Sequence, residues 1–379
     1  MSWLRNPGPE RAVAPEPAAA EVRAFHERLP GYRPTPLVAA EATARELGLA
    51  RVWVKDESSR LDTPSFKILG ASWAVYRTLD EHVGGIADWD TMGDLVAALA
   101  PHLPLTLVAA TDGNHGRAVA HMARLLGLDA HIFVPAGTAV ARIAAITGEG
   151  AACTVVDGTY DDAVARSAVE AGDRHLVISD TSWPGYDRVP RRVIEGYATI
   201  FSEIDEQLRA LRAPPPDVVV VQVGVGALAA AAARHFASRS RTARPVMVAV
   251  EPLRAACVMA SVRAGRPVTI PGPQDSIMAG LNCGTPSEVA WPDVVGGFDA
   301  FMAIPDERAR EGMRALARDG IEAGETGAAG VGALAEIMAA ENADLRHELG
   351  VGPAATALVV CTEGATDPAS YRLVVSETA

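Results

Sequence analysis

The chain has 379 residues, 34 of them Lys or Arg and 47 Asp or Glu, for a formal net charge of −13. That length allows two or three domains' worth of chain with a large buried core, and 49% hydrophobic against 21% charged residues is the balance of a soluble globular protein, not a disordered one. An acidic chain with no basic cluster argues against nucleic acid or an anionic membrane as a partner, and no apolar run approaches the roughly 18 residues of a membrane span. Met1 to Ala20 shows no signal-peptide pattern. Cys153, Cys257, Cys283 and Cys361 are scattered without a Cys-x-x-Cys, so no metal knuckle or disulfide framework is expected and a reducing cytoplasm is the default compartment. Only two basic residues are lysines, Lys55 and Lys67; the others are arginines.

In chain order, residues 1–20 are rich in Ala, Pro and Glu and read as a loose arm. Short apolar or β-branched runs then predict buried strands at Val52–Val54, Leu105–Ala109, His131–Val134, Thr154–Val156, Leu176–Ile178, Asp217–Val223, Val246–Val250 and Ala357–Val360. Amphipathic stretches lie between them; in Gly116 to Leu126, Ala118, Val119, Met122, Leu125 and Leu126 share one helical face and Gly127 offers a stop. The alternation predicts an α/β fold of mostly parallel sheets covered by helices on both faces. Arg212–Asp217, with Pro214-Pro215-Pro216, is the best candidate for a boundary between two α/β blocks, and no internal repeat is present.

Ligands of open α/β sheets bind beyond the carboxyl ends of the strands. After Leu105–Ala110 comes Thr111-Asp112-Gly113-Asn114-His115-Gly116, a glycine-bearing junction whose free N–H groups suit a carboxylate or phosphate, or which is an ordinary N-cap. After Asp217–Val223 comes Gly224-Val225-Gly226-Ala227-Leu228-Ala229, which fits the dinucleotide fingerprint, and the next strand ends in Glu251, where a ribose ligand belongs. A nicotinamide dehydrogenase therefore stays open, since the loop says that a phosphate can be held but not whose. Lys67, in Thr63-Pro64-Ser65-Phe66-Lys67, enters a helix with an apolar flank; in a chain that otherwise uses arginine, a retained lysine points to imine or base chemistry that arginine cannot perform. Lys55, beside Asp56 and Glu57, reads as a salt-bridging lysine at a strand end. Asp180 follows a strand and precedes an aromatic loop, Trp183 to Tyr186, that could close over a pocket, unless it merely forms a turn. Gly324–Gly330 and Cys361-Thr362-Glu363-Gly364 are two further polar, glycine-bounded junctions. His115 and His121 are six apart, which is no metal-ligand spacing on a helix, and no nucleophile elbow or Walker loop occurs.

Together these motifs, in order from Arg33 to Arg372, resemble the fold-type II pyridoxal-phosphate enzymes, the group of threonine dehydratase, serine racemase and cysteine synthase. Pro34-Thr35-Pro36-Leu37 looks like the family's opening motif and Ser65-Phe66-Lys67 like its Schiff-base lysine segment. Within the group the chain is most similar to the diaminopropionate ammonia-lyases, on Thr111–Arg117, Asp180–Tyr186, Ile277–Gly284, Gly324–Ala328 and Thr362–Pro368. The resemblance implies two open, twisted, mostly parallel sheets of the tryptophan-synthase-β kind, with 1–80 and 205–379 as the large cofactor domain and 81–204 as a small mobile one. It implies pyridoxal 5'-phosphate as cofactor, a small amino-acid substrate and a cytoplasmic homodimer.

The resemblance also assigns residues. Lys67, Phe66, Asn114, Gly224, Val225, Gly226, Ala227, Leu228, Glu325 and Thr362 would bind the cofactor, with Asn114 on its 3′-oxygen, Gly224–Leu228 on its phosphate and Thr362 on its ring nitrogen. Thr111, Asp112, Gly113, His115, Ser65 and Tyr186 would bind substrate. Lys67 would take the Cα proton of an L-substrate and Asp112 that of a D-substrate, while Asp112 and Asp180 would bind or protonate the leaving β-amino group, releasing aminoacrylate that hydrolyses to pyruvate and ammonia. Two departures bear on substrate: Leu61-Asp62-Thr63-Pro64-Ser65-Phe66-Lys67 stands where these lyases read Phe-Gly-x-Asn-Ala-Phe-Lys, and Ala365 replaces a usual Asp. Both keep a serine/threonine dehydratase or a β-replacement synthase open, and a non-catalytic amino-acid sensor remains a further alternative.

Overall fold

Eleven strands among the described residues form two sheets in the computed structural model, which describes residues 2–7, 13, 18–111, 113–237 and 244–376. The strands are β1 (Ser2–Arg5), β2 (Leu37–Ala39), β3 (Arg51–Asp56), β4 (Thr106–Ala110), β5 (Asp129–Pro135), β6 (Ala152–Val156), β7 (His175–Val177), β8 (Val218–Gln222), β9 (Val246–Pro252), β10 (Ala300–Ile304) and β11 (Thr356–Cys361). The larger sheet runs β1-β10-β9-β8-β11-β3-β2, parallel in its five central strands and antiparallel at both edges. The smaller is β6-β5-β4-β7, parallel throughout. Central parallel strands are covered on both faces, so they read as unbroken apolar runs; Val218 to Val221 of β8 are all fully buried. Each of the eight strands expected from such runs is present, with ends shifted by a residue or two. Among the described residues no helix is long and apolar enough to cross a membrane.

Three strands escape the sequence pattern. β2 is three residues long, and β10, Ala300-Phe301-Met302-Ala303-Ile304, has one β-branched residue in five. β1 corrects the expectation of a loose arm: Ser2–Arg5 pairs antiparallel with β10, from Ser2 opposite Ala303 to Arg5 opposite Ala300, and the Asn6 side chain anchors the following turn on the Val295 and Phe298 carbonyls at 2.7 Å each. The triple proline, expected at a boundary between two α/β blocks, lies between β7 of the smaller sheet and β8 of the larger. The helix Ala198–Ala210 before it already packs on the larger sheet, where Glu203 meets Lys55 of β3.

Lys55 is fully buried, and its partners are not its acidic sequence neighbours. Its three N–H groups go to Glu203 Oε2 (2.6 Å), the Thr35 carbonyl (2.8 Å) and Gln207 Oε1 (2.9 Å). Arg60, equally buried, clamps Glu57 and Glu203 with bonds of 2.6–2.8 Å. Burial alone would raise the Glu203 carboxyl, but the hydrogen bonds and charges of Arg60 and Lys55 outweigh it and hold the group below the ordinary carboxylate range. Two cations and two carboxylates thus neutralise one another, the condition under which charge tolerates burial.

Candidate active site

The carboxyl ends of β4, β7, β8 and β11 meet the helix that begins at Lys67 around a cleft. Its wall includes Phe66, Lys67, Thr111, Asn114, His115, Asp180, Gly224, Val225, Gly226, Ala227, Leu228 and Thr362 among the residues expected from sequence. The helix Lys67–His82 has the lysine as its first residue and Phe66 as its cap, so the side chain projects from a fixed helix end. The backbone before it is stitched to the turn after β11: Phe66 N–H donates to the Thr362 carbonyl at 3.2 Å and Gly364 N–H to the Pro64 carbonyl at 2.9 Å.

Lys67 Nζ donates to Asp180 Oδ2 at 2.6 Å, and the Tyr160 hydroxyl donates to Oδ1 of the same carboxylate at 3.0 Å. Burial opposes ionisation of Asp180, yet the charges of Lys67 and His115 and the hydrogen bonds from Lys67 and Tyr160 prevail, holding the carboxyl well below its usual range. His115 is placed by a 2.8 Å bond between its Nε2 and the Ile178 carbonyl.

The loop Gly224–Gly226 leads from β8 into the helix Ala227–Ala237, presenting backbone amides at a helix start. Both of its glycines sit where a side chain would be disfavoured. Gly226 has φ +107°, and a Cβ on Gly224 would lie 3.1 Å from Cys283 Sγ and 3.2 Å from the Gly280 carbonyl. Opposite, Thr362 Oγ1 is buried with no hydrogen-bond partner among the described residues, and so is Gln222 Oε1. Asn114 donates from Nδ2 to Glu363 Oε2, while Glu363 Oε1 accepts the Thr326 N–H at 3.2 Å.

Four expected site residues lie elsewhere. Glu325 points away from the cleft and accepts the Ser370 hydroxyl at 2.6 Å; its neighbour Thr326 lines the cleft instead, because successive residues of a helix are turned by about 100°. The Tyr186 hydroxyl is spent on backbone, donating to the Val177 carbonyl at 2.6 Å and accepting the Ser179 N–H at 3.1 Å, with its ring stacked on Trp183 at 4.1 Å. Ser65 is buried behind the wall in a backbone bridge to Glu363. Gly113 turns the chain at φ +151°, giving its N–H to Thr111 Oγ1 at 2.8 Å, and borders a separate small pocket with Arg117 and Arg142. Asp112 lies outside the described residues.

Conversely, Glu363, Gln222, Tyr160, Thr326 and the segment Gly280–Cys283 line the cleft without having been assigned a role from sequence. Glu363 and Gly280–Cys283 sit inside motifs already noted; Tyr160 opens the helix Tyr160–Ala168, and no local signal marks it. Glu251 is unavailable to a ribose: it is fully buried and accepts the N–H groups of Val258 and Met259 at 2.8 Å each, capping the helix Cys257–Ala264. Burial dominates there and pushes its carboxyl up to about 8 despite those two bonds.

Known proteins resemble the whole arrangement. The family model described as pyridoxal-phosphate dependent enzyme matches residues 28–362. A diaminopropionate ammonia-lyase of Escherichia coli (strain K12) is 37% identical over 363 residues, covering 94% of this chain and 90% of the relative. The crystal structure of an Escherichia coli diaminopropionate ammonia lyase in complex with D-serine superposes with a TM-score of 0.92 at 34% identity, covering 99% of this chain and 97% of that one. The same Escherichia coli enzyme with an aminoacrylate-PLP azomethine intermediate gives a TM-score of 0.88 at 33% identity, covering 99% and 97%.

Proposed function

We propose, for a chain that belongs to the pyridoxal-phosphate-dependent enzyme family, that it catalyses the α,β-elimination of 2,3-diaminopropionate, or a similar β-substituted amino acid, to pyruvate and ammonia. The observation that carries the substrate assignment is Asp180, a carboxylate on the cleft wall that already holds an ammonium group, that of Lys67, at 2.6 Å. A hydroxyl leaving group would be served by a neutral donor; an ammonium leaving group calls for an anion.

The residues present fit the cofactor. Thr362 Oγ1, buried and unpartnered among the described residues, suits a neutral ring nitrogen, and the loop Gly224–Leu228 suits a phosphate. Lys67 would hold the cofactor covalently, Phe66 would flank it, and Asn114, oriented by Glu363, would reach its ring oxygen. When bound, pyridoxal phosphate supplies the electron sink for loss of the Cα proton. This chain's groups do the rest. Lys67 Nζ removes that proton from an L-substrate, Asp112 keeps its sequence-based role towards a D-substrate, and Asp180, fixed by Tyr160, binds the β-amino group as its ammonium, which takes the C–N electron pair and departs as ammonia. Thr111 and His115 complete the substrate side of the cleft. In the same proposal 81–204 is the smaller, mobile domain and the protein works in the cytoplasm as a homodimer of twice the 39.6 kDa chain mass, the mass that light scattering would read.

The test is a cofactor spectrum followed by a pyruvate assay over D- and L-diaminopropionate, serine and threonine. Purified protein should absorb at the imine band, Lys67→Ala should lose it, and diaminopropionate should give the highest kcat/KM. Covalently retained cofactor in Lys67→Ala, or serine or threonine as the preferred substrate, would overturn the assignment in its first or second part.

A further inference from the structure

Two serines tie the loop that carries Asp180 to the glycine loop. Ser287 gives its backbone N–H to the Val225 carbonyl at 2.9 Å, and its Oγ accepts the Ser182 N–H at 3.2 Å. The two hydroxyls share a further hydrogen bond at 2.9 Å, and Ser182 Oγ also accepts the Val289 N–H at 3.1 Å. A single residue, Thr181, separates Ser182 from Asp180. Thr181 N–H is held by Ser179 Oγ at 3.3 Å, and just beyond, Trp183 and Tyr186 exchange backbone hydrogen bonds and stack their rings. These contacts tie the position of Ser182 to the loop that carries Asp180. At the other end, the peptide unit whose carbonyl receives Ser287 also carries the Gly226 N–H, one of the amides of the glycine loop. An anion taken by that amide polarises the unit and strengthens the same carbonyl as an acceptor.

We propose that Ser287 and Ser182 are positioning residues that couple occupancy of the glycine loop by a phosphate group to the placement of the Asp180 carboxylate. The inference rests on Gly224–Leu228 being the phosphate cradle, as set out above. It makes full elimination activity depend on the phosphate being seated as well as on the ring being held.

Trp183, next to Ser182, supplies the readout: its fluorescence, isolated as the difference from Trp183→Phe, is followed while the full-length, cofactor-stripped protein is titrated with inorganic phosphate. Phosphate should shift the Trp183 signal in the wild type. In Ser182→Ala the shift should fall about fivefold while phosphate still competes with the cofactor, and Ser182→Thr, which keeps the hydroxyl, should restore it. Ser287→Ala should behave as Ser182→Ala does. In the loaded enzyme Ser182→Ala should lower kcat for the diamino substrate more than it weakens cofactor binding. An unchanged Trp183 response in both alanine variants overturns the relay. If phosphate neither competes with the cofactor nor moves Trp183 in the wild type, the cradle assignment fails and the relay with it.

Discussion

Replacing Asp180 by Asn removes one charge and almost no volume, so it isolates what the carboxylate contributes. In the folded protein Asp180 accepts two hydrogen bonds, from Lys67 at 2.6 Å and Tyr160 at 3.0 Å, in a side chain only 5% exposed. A hydrogen bond to a charged partner contributes about 1.5–3 kcal/mol, and losing it while the other charge stays in the site costs at the upper end. A diamino substrate whose β-ammonium takes the place of the Lys67 ammonium on Oδ2 should therefore lose about 2–3 kcal/mol of transition-state stabilisation. That corresponds to roughly 30- to 150-fold in kcat/KM. Serine, with a neutral leaving group, should lose less than about tenfold, because the amide still offers it a hydrogen bond. The assay is pyruvate formation coupled to NADH oxidation, run on both substrates with wild type and variant at saturating cofactor. Equal losses on the two substrates would refute the ammonium-binding role. Loss of the cofactor band in Asp180→Asn would move the residue to cofactor retention instead.

Gly226→Ala places a Cβ at φ +107° and 3.2 Å from the Ala290 Cβ, so thermal stability should drop by about 1–2 kcal/mol and cofactor affinity should fall at the same time; calorimetry and a cofactor titration read the two. Glu251 and His26 set the acid dependence of stability with opposite signs. Burial raises the folded Glu251 carboxyl to about 8, so its contribution is complete below the unfolded value and is lost as pH rises from about 4.5 towards 8. Burial lowers the folded His26 imidazole to about 3, so its contribution is lost as pH falls from about 6.5 towards 3. Between about 4.5 and 6.5 the two slopes, each about 1.4 kcal/mol per pH unit, cancel. Glu251→Gln should therefore uncover a rise of stability with pH across that window in thermal midpoints; a curve parallel to wild type would contradict the Glu251 assignment, and a variant curve without the rise that of His26.

What the sequence discloses follows from where each element sits. Parallel strands buried on both faces announce themselves as apolar runs, which is why β3, β4, β5, β8, β9 and β11 are legible, and the edge strands β6 and β7 still show through Thr154-Val155-Val156 and Leu176-Val177, whereas edge strands β1 and β2 carry few such residues and β10 is built mainly from Ala, Phe and Met. Junctions at strand ends are legible for a related reason: a close backbone approach demands glycine, so Gly224 and Gly226 leave a mark that Tyr160 does not. Motifs identify a junction but not which side chain faces the ligand. Glu325 and Thr326 are adjacent in one motif, yet one bonds Ser370 outside the cleft and the other lines it. Tyr186 is similar, since an aromatic residue near a site is as readily a strut as a lid once its hydroxyl finds backbone partners.

The scarcity of lysine narrows the Schiff-base position to two candidates, and hydrogen-bond accounting separates them. An ammonium group has three protons to give. Lys55 gives all three, to Glu203, Gln207 and the Thr35 carbonyl, in a network where Lys55, Glu203 and Thr35 are buried. With its amine enclosed by these partners, Lys55 has no reagent to meet. Lys67 has a carboxylate partner on another element, faces an open cleft and stands at a helix start, so its amine can exchange that partner for an incoming group. The same Asp180 that holds the lysine is then the acceptor left for the substrate's ammonium. Imine chemistry and a preference for a diamino acid thus draw on one ion pair: Lys67→Ala should end both, whereas Asp180→Asn should keep the imine band and lose only the preference.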